Sequence, residues 1–178
     1  MKKIISLVGA RPNFIKIAPL HKVFKAYIKE VTHKICHTGQ HFDENMSKIF
    51  FNELDLPKPD FYLGIGGGTH TEQTARIMIE FEKVLLQEKP DLIIVPGDVN
   101  STLAGALTAT KMGIKIAHVE SGLRSFDRSM PEEINRTVTD ILADYLFVSE
   151  KSGLDNLIRE GIDSNKVFFV GNIMIDSL

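Results

Sequence analysis

The sequence predicts an α/β domain built on a Rossmann-like parallel sheet with helices on both faces, and three observations carry that prediction. Short apolar runs rich in Ile and Val alternate along the chain with segments whose apolar residues recur at three-and-four spacing, and the alternation repeats at least five times. The clearest run, DLIIVP at 91–96, shows no in-and-out alternation, the pattern of a strand buried on both faces. Glycine and polar groups recur just past successive runs, at Gly9-Ala10-Arg11, Gly39-Gln40-His41, Gly97-Asp98, His118-Val119-Glu120 and Gly171-Asn172. In an open α/β sheet those strand tips converge on one cleft.

Taken in order, residues 3–8 form a first strand bounded by Gly9 and Pro12, and Phe14, Ile17, Ala18, Leu20, His21 and Phe24 mark a helix after it. A second strand lies near 34–38, and 43–54 is helical in pattern with Met46, Ile49 and Phe50 on one face. Residues 56–60, with two prolines, form a connection. Gly64 to His70 is glycine-rich but is not G-x-G-x-x-G, so it reads as a loop rather than a phosphate cradle. An amphipathic helix over 71–88 is stopped by Pro90. After the strand at 91–96, the small residues of LAGALTA within 101–112 suit a helix packed closely on a sheet, ended by Gly113. Strand 115–119, helix 131–143, strand 145–149, helix 151–159 and strand 167–170 complete the alternation.

Composition narrows the function. The chain has 178 residues, enough for one sizeable core, with 43% hydrophobic and 25% charged residues and no biased segment. With 21 basic against 23 acidic residues it has no basic excess, which argues against nucleic acid as a partner. The single cysteine, Cys36, excludes an internal disulfide and fits a reducing compartment. The apolar run in MKKIISLVGARP is too short for a signal peptide, and no stretch approaches the roughly 20 apolar residues that span a bilayer. A cytoplasmic protein without a membrane partner is the expectation.

The densest chemistry lies in HVESGLRSFDRSMPEEINR at 118–136. Asp98 and Glu120 end two strands expected to be neighbours, and two close carboxylates can divide into a base and an acid. Asp98 has an equal second reading as the start of the next helix, where an acidic side chain meets the helix dipole. Ser129 and Glu132 have capping-box spacing with a proline between them, so on pattern alone Glu132 satisfies backbone donors. Arg124 and Arg136 suit either a phosphate group or a neighbouring glutamate. Arg11 and Lys16 flank the start of the first helix and could form a small anion site, although most lysines are solvated. His118, inside a strand end, reads as a hydrogen-bonded structural residue. His37, His41, His70 and His118 lack metal-ligand spacing, and there is no Walker loop, nucleophile elbow or Cys-x-x-Cys pair, so neither metal nor cofactor is expected. The residues alone indicate an α/β domain with an acidic cleft and cations suited to a phosphorylated metabolite.

Six ordered motifs go further: GARPNFIKIAPL at 9–20, HTGQH at 37–41, PGDVNST at 96–102, HVESGLR at 118–124, MPEEINR at 130–136 and GNIMID at 171–176. Together they resemble the non-hydrolysing UDP-N-acetylglucosamine 2-epimerase family over essentially the whole chain. The resemblance implies a two-domain, glycosyltransferase-B-like enzyme that interconverts UDP-N-acetylglucosamine and UDP-N-acetylmannosamine by eliminating and re-adding UDP, for polysaccharide precursor synthesis. It marks Asp98, Glu120 and Glu132 as catalytic carboxylates. It marks Arg11 and Lys16 as substrate-contacting cations, with Gln40, His41 and Arg136 in substrate-binding motifs. It also implies a homodimer and a second domain of similar size carrying the main uridine diphosphate site. Residues 1–170 are then the N-terminal domain and 171–178 the start of the interdomain connection. The C-terminal nucleotide-binding domain lies outside this chain, which alone is expected to be inactive. A sister group acting on UDP-2,3-diacetamido-2,3-dideoxyglucuronate resembles the segments 37–51 and 125–136 at least as well. A nucleotide-sugar transferase and a non-catalytic half-domain are the remaining alternatives.

Overall fold

The uninterrupted apolar runs become the strands of one parallel sheet in the computed structural model of the protein, which describes residues 1–39 and 56–177. In chain order the elements are β1 (Lys2–Val8), α1 (Arg11–Ala26), β2 (Val31–His37), β3 (Phe61–Tyr62), α2 (His70–Glu88), β4 (Leu92–Pro96), α3 (Asn100–Lys111), β5 (Lys115–Val119), α4 (Pro131–Leu142), β6 (Tyr145–Val148), α5 (Lys151–Arg159) and β7 (Val167–Phe169). Short 3-10 turns occupy Ser164–Lys166 and Ile173–Ser177. The seven strands are ordered β3-β2-β1-β4-β5-β6-β7, so the winding reverses between β1 and β4, where Ser6 pairs with Ile94. That reversal is the switch point at which an open α/β sheet leaves a crevice.

Alternate strand residues feed two cores. Ile4, Val8, Ile35, Ile94, Ala117 and Val119 pack with Phe14 and Ile17 of α1 and with Ile173 of the last turn. Ile5, Leu7, Ile93, Val95 and Ile116 face Ile77, Phe81 and Leu85 of α2, Ala104 of α3 and Leu157 of α5. Each fully buried large side chain contributes about 1.5–3 kcal/mol, so Leu85→Ala would cost about 2–5 kcal/mol. The small residues of α3 have a steric cause: a Cβ on Gly105 would lie 2.6 Å from Leu7 Cδ2 and 3.0 Å from Val95 Cγ1.

Three aspartates start or extend the pairing of neighbouring strands. Asp60, Asp91 and Asp144 each precede a strand, and their carboxylates accept from the backbone N–H of Ile35, Lys3 and Ile116 at 2.8, 2.8 and 2.9 Å. Each also donates its own N–H to the carbonyl of the same residue. This explains β3, which the sequence reading left unassigned between the connection at 56–60 and the loop that begins at Gly64. Phe61–Tyr62 is too short to show as an apolar run, and its position is set by Asp60 and by pairing of Cys36 with Phe61 and His37 with Tyr62. The helix expected over 43–54 lies outside the described residues. The helix expected from 71 begins at His70, because Thr69 Oγ1 accepts from Glu72 N–H and Glu72 accepts from Thr69 N–H, a reciprocal cap.

Candidate active site

The tip of β1 is tied to the tip of β4 by a residue the sequence reading passed over. Asn13 is buried; its Oδ1 accepts from the N–H groups of Gly9 and Ala10, each at 3.0 Å, while its Nδ2 donates to the Pro96 carbonyl at 3.0 Å. The signal was present as an amide directly after Pro12 in the first helical turn. Lys16, three residues further along α1, shares that face and is buried at 6% exposure, so it is not a solvated helix lysine. Its ammonium forms an ion pair with Glu120. Glu120 leaves β5 with φ +69°, a conformation a non-glycine residue holds at a cost and one concentrated at functional sites. Its N–H donates to Phe147 O at 3.0 Å, which holds the turn. Gly97 sits beside this pair at φ +67°, and a Cβ there would lie 3.2 Å from Lys16 Nζ and 3.7 Å from Glu120 Oε2.

Asp98 pairs with Arg136 of α4. Its second reading, as a helix starter, does not hold: Val99 occupies the cap position of α3, and the Asp98 carboxylate is turned across to α4. Asn135 supports the same residue, donating from Nδ2 to the Asp98 carbonyl at 2.9 Å and to Asn100 Oδ1 at 3.3 Å. A cleft of ≈ 390 Å³ opens beside this amide chain, lined by His70, Asn100, Leu103, Ile134 and Asn135 among others.

The capping box expected at Ser129 and Glu132 is not formed. Met130 precedes α4 without a side-chain cap, and Ser129 donates its hydroxyl and its N–H to Asp127 instead. Glu132, freed from that role, makes no ion pair or side-chain hydrogen bond among the described residues and lies one turn before Arg136 on α4. Its neighbour Glu133 does the structural work. Its carboxylate accepts from Ser125 N–H and Oγ and from Phe126 N–H at 2.9–3.0 Å, and it lies 3.3 Å from Arg136. Burial pushes Glu133 up, but these donors and the guanidinium hold it below the usual carboxylate range. Arg124 takes the pairing alternative: it meets Glu160 through Nε and Nη2 at 2.7 and 2.6 Å, and Asp140 at 2.8 Å.

The structure thus gathers Asp98, Glu120, Lys16 and Arg136 at the tips of β4 and β5, with Glu132 on the helix that carries Arg136. Arg11 is exposed at the first position of α1. Gln40 and His41 lie outside the described residues. Such a doubly wound parallel sheet, with carboxylates and cations at its switch point, defines a Rossmann-like α/β domain whose crevice is lined by paired charges.

Known proteins give that class a family. The family model for UDP-N-acetylglucosamine 2-epimerase matches residues 26–178. The chain is 53% identical over 175 residues to the UDP-N-acetylglucosamine 2-epimerase of Methanocaldococcus jannaschii, covering 98% of this chain and 47% of that protein. It is 52% identical to the UDP-2,3-diacetamido-2,3-dideoxy-D-glucuronate 2-epimerase of Pseudomonas aeruginosa, over 98% of this chain and 50% of that protein. A crystal structure of the Methanocaldococcus jannaschii UDP-GlcNAc 2-epimerase in complex with UDP-GlcNAc and UDP matches with a TM-score of 0.94 at 54% identity, over 99% of this chain and 48% of that one. A lipopolysaccharide outer core galactosyltransferase matches at a TM-score of 0.68 and 15% identity, a likeness of fold. The chain belongs to the UDP-N-acetylglucosamine 2-epimerase family. It spans about half the length of the curated relatives it matches.

Proposed function

We propose that this chain is the N-terminal domain of a cytoplasmic, homodimeric UDP-N-acetylglucosamine 2-epimerase. Residues 1–170 form the domain and 171–178 begin the connection to a C-terminal nucleotide-binding domain. The observation that carries the reading is the pairing of two carboxylates, from adjacent strand tips, each with its own cation: Asp98 with Arg136 and Glu120 with Lys16.

The chemistry follows from those groups. A carboxylate takes the proton from carbon 2 of the sugar, the C–H pair forms the carbon 1–carbon 2 double bond, and the carbon 1–oxygen bond breaks with its pair leaving on UDP. Re-addition of the UDP oxygen to carbon 1, with a proton delivered to the opposite face of carbon 2, completes the inversion. Asp98, Glu120 and Glu132 supply the proton-transferring carboxylates; Arg11, Lys16, Gln40, His41 and Arg136 contact the substrate. Lys16 and Arg136 place positive charge where the diphosphate departs.

A second reading, in which the substrate is UDP-2,3-diacetamido-2,3-dideoxyglucuronate, is favoured by the near-equal identities of 53% and 52% to the two kinds of relative. The test is incubation of the complete protein with each UDP-sugar in deuterated water. Deuterium at carbon 2 together with the 2-epimer from UDP-N-acetylglucosamine supports the first reading. Turnover of the uronate alone replaces it with the second, and exchange with neither leaves a non-catalytic half-domain.

A further inference from the structure

His118 lies on β5 two residues before Glu120, wholly buried, and both of its ring nitrogens face acceptors. Nε2 is 2.7 Å from the Gly97 carbonyl, and Nδ1 is 2.6 Å from Asp140 Oδ1. A carbonyl can only accept, so Nε2 donates to Gly97. Asp140, on α4 and also fully buried, accepts from the Gly122 N–H at 3.1 Å and from Arg124 at 2.8 Å through its second oxygen. Burial pushes Asp140 up, but His118 and Arg124 together hold it below the usual carboxylate range, and its first oxygen faces Nδ1. The ring is held from both sides, by the Gly97 carbonyl and by Asp140.

Gly97 is the residue this arrangement controls. Its N–H, on the peptide before it, donates to Val119 O at 2.9 Å, and its carbonyl, on the peptide that leads to Asp98, accepts from His118, so Gly97 is tied to β5 through the peptides on both of its sides. On one side of Gly97 stands Asp98; against its Cα stand Lys16 and Glu120. Rotation of the Gly97–Asp98 peptide would break its bond from His118 and would change how the Asp98 carboxylate stands relative to Glu120.

We propose that His118, oriented by Asp140, is a positioning residue that fixes the spacing of the Asp98 and Glu120 carboxylates by gripping the Gly97 carbonyl. The inference rests on the epimerase reading for its kinetic consequence but not for its geometry. Asp140 has a double duty: through Gly122 and Arg124 it also holds the turn that follows Glu120.

The experiment uses the complete protein and compares His118→Phe, which keeps an aromatic ring and removes both ring nitrogens, with His118→Gln, whose amide can still donate to Gly97. In His118→Phe, kcat for carbon 2 exchange falls about 10- to 100-fold while KM stays within about 3-fold, as expected when reacting groups are displaced rather than binding lost. His118→Gln recovers most of the loss. A folded His118→Phe protein with unaltered kcat, or a His118→Gln protein as slow as His118→Phe, overturns the proposal. Nitrogen-15 labelling of histidine gives a readout independent of turnover. Wild type shows a slowly exchanging Nε2–H on His118 hydrogen-bonded to a carbonyl, and an Nε2 without a proton overturns the proposal even if His118→Phe fails to fold. Absence of exchange in wild type sinks the epimerase reading alone. In that case a crystal structure of His118→Gln or His118→Phe decides, with a displaced Gly97–Asp98 peptide in the phenylalanine variant expected and an unmoved one contrary.

Discussion

Lys16 and Glu120 form an ion pair across 104 residues of sequence, joining the first helix to the tip of the fifth strand over the switch point of the sheet. The two sides are unlike. The Lys16 side chain is 7% exposed, while Glu120 keeps 22%, so the cation is committed to the site and the carboxylate still reaches solvent.

Replacing Lys16 by Met tests that asymmetry. The methionine fills the space of the alkyl stem and removes only the charge. Loss of one partner of a fully buried pair costs more, but Glu120 can turn toward water, so a loss of about 1–3 kcal/mol is expected in chemical denaturation. On the proposed function, which sets Lys16 beside the departing diphosphate, carbon 2 exchange in the complete protein should fall by about 100-fold or more. Wild-type turnover in Lys16→Met would remove Lys16 from the site.

Asp98→Asn keeps shape and takes away the carboxylate to which the proposed function gives a part in proton transfer. Arg136 and Asn135 still find an amide oxygen and the unchanged backbone carbonyl, so the melting temperature should stay within about 3 °C of wild type. Exchange at carbon 2 should fall by about 100- to 10,000-fold, the contribution of a positioned acid or base. A variant that unfolds instead would show that Asp98 serves the fold.

Gly97→Ala tests the turn itself. An L-residue at φ +67° costs about 1–2 kcal/mol, and the new Cβ, 3.2 Å from Lys16 Nζ, pushes the ammonium from its seat. Both stability and kcat should drop. A stability loss with unchanged kcat would separate the turn from the site.

Stability should fall on the acid side earlier than carboxylates alone would dictate. Burial, with His21 alongside, lowers His33 to about 3, and burial lowers His37 to about 4. Both rings are therefore neutral in the fold, while the unfolded chain takes up their protons below about pH 6.5. The unfolded state then binds more protons, so stability is lost as pH falls from about 6.5 toward 4, by up to about 1.4 kcal/mol per pH unit for each histidine. Asp140 and Glu133, whose folded values are depressed, add a further loss only as pH falls through the carboxylate range. Denaturation midpoints measured between pH 8 and 5 check this: His33→Gln should reduce the slope below pH 6.5, and an unchanged slope would contradict it.

Much of this was legible without coordinates. Period and run length gave six of the strands and the described helices to within two residues at each end, except that β2 begins three residues before the run read at 34–38, because burial on both faces leaves an uninterrupted apolar signature. β3 escaped because two residues cannot carry a pattern. The residues at the tips were also legible as a set, but not their partners. Asp98 had two readings of equal weight, and its pairing with Arg136 joins positions 38 apart. Ser129 and Glu132 had the spacing of a cap, yet Asp127 lay closer to the serine, and Glu133 rather than Glu132 took the donors of the 125–126 turn. Asp140 lay outside every motif, and Asn13, although inside GARPNFIKIAPL, was given no role of its own.

The sequence by itself determined what is local or repeated: the alternation of strand and helix, the buried runs, the glycines at strand ends, and the motifs that mark the family. Only the tertiary structure decided which charge meets which. Those contacts join residues 38 and 104 positions apart, and they form because parallel winding brings successive strand tips to one edge, where burial penalises any charge left without a partner.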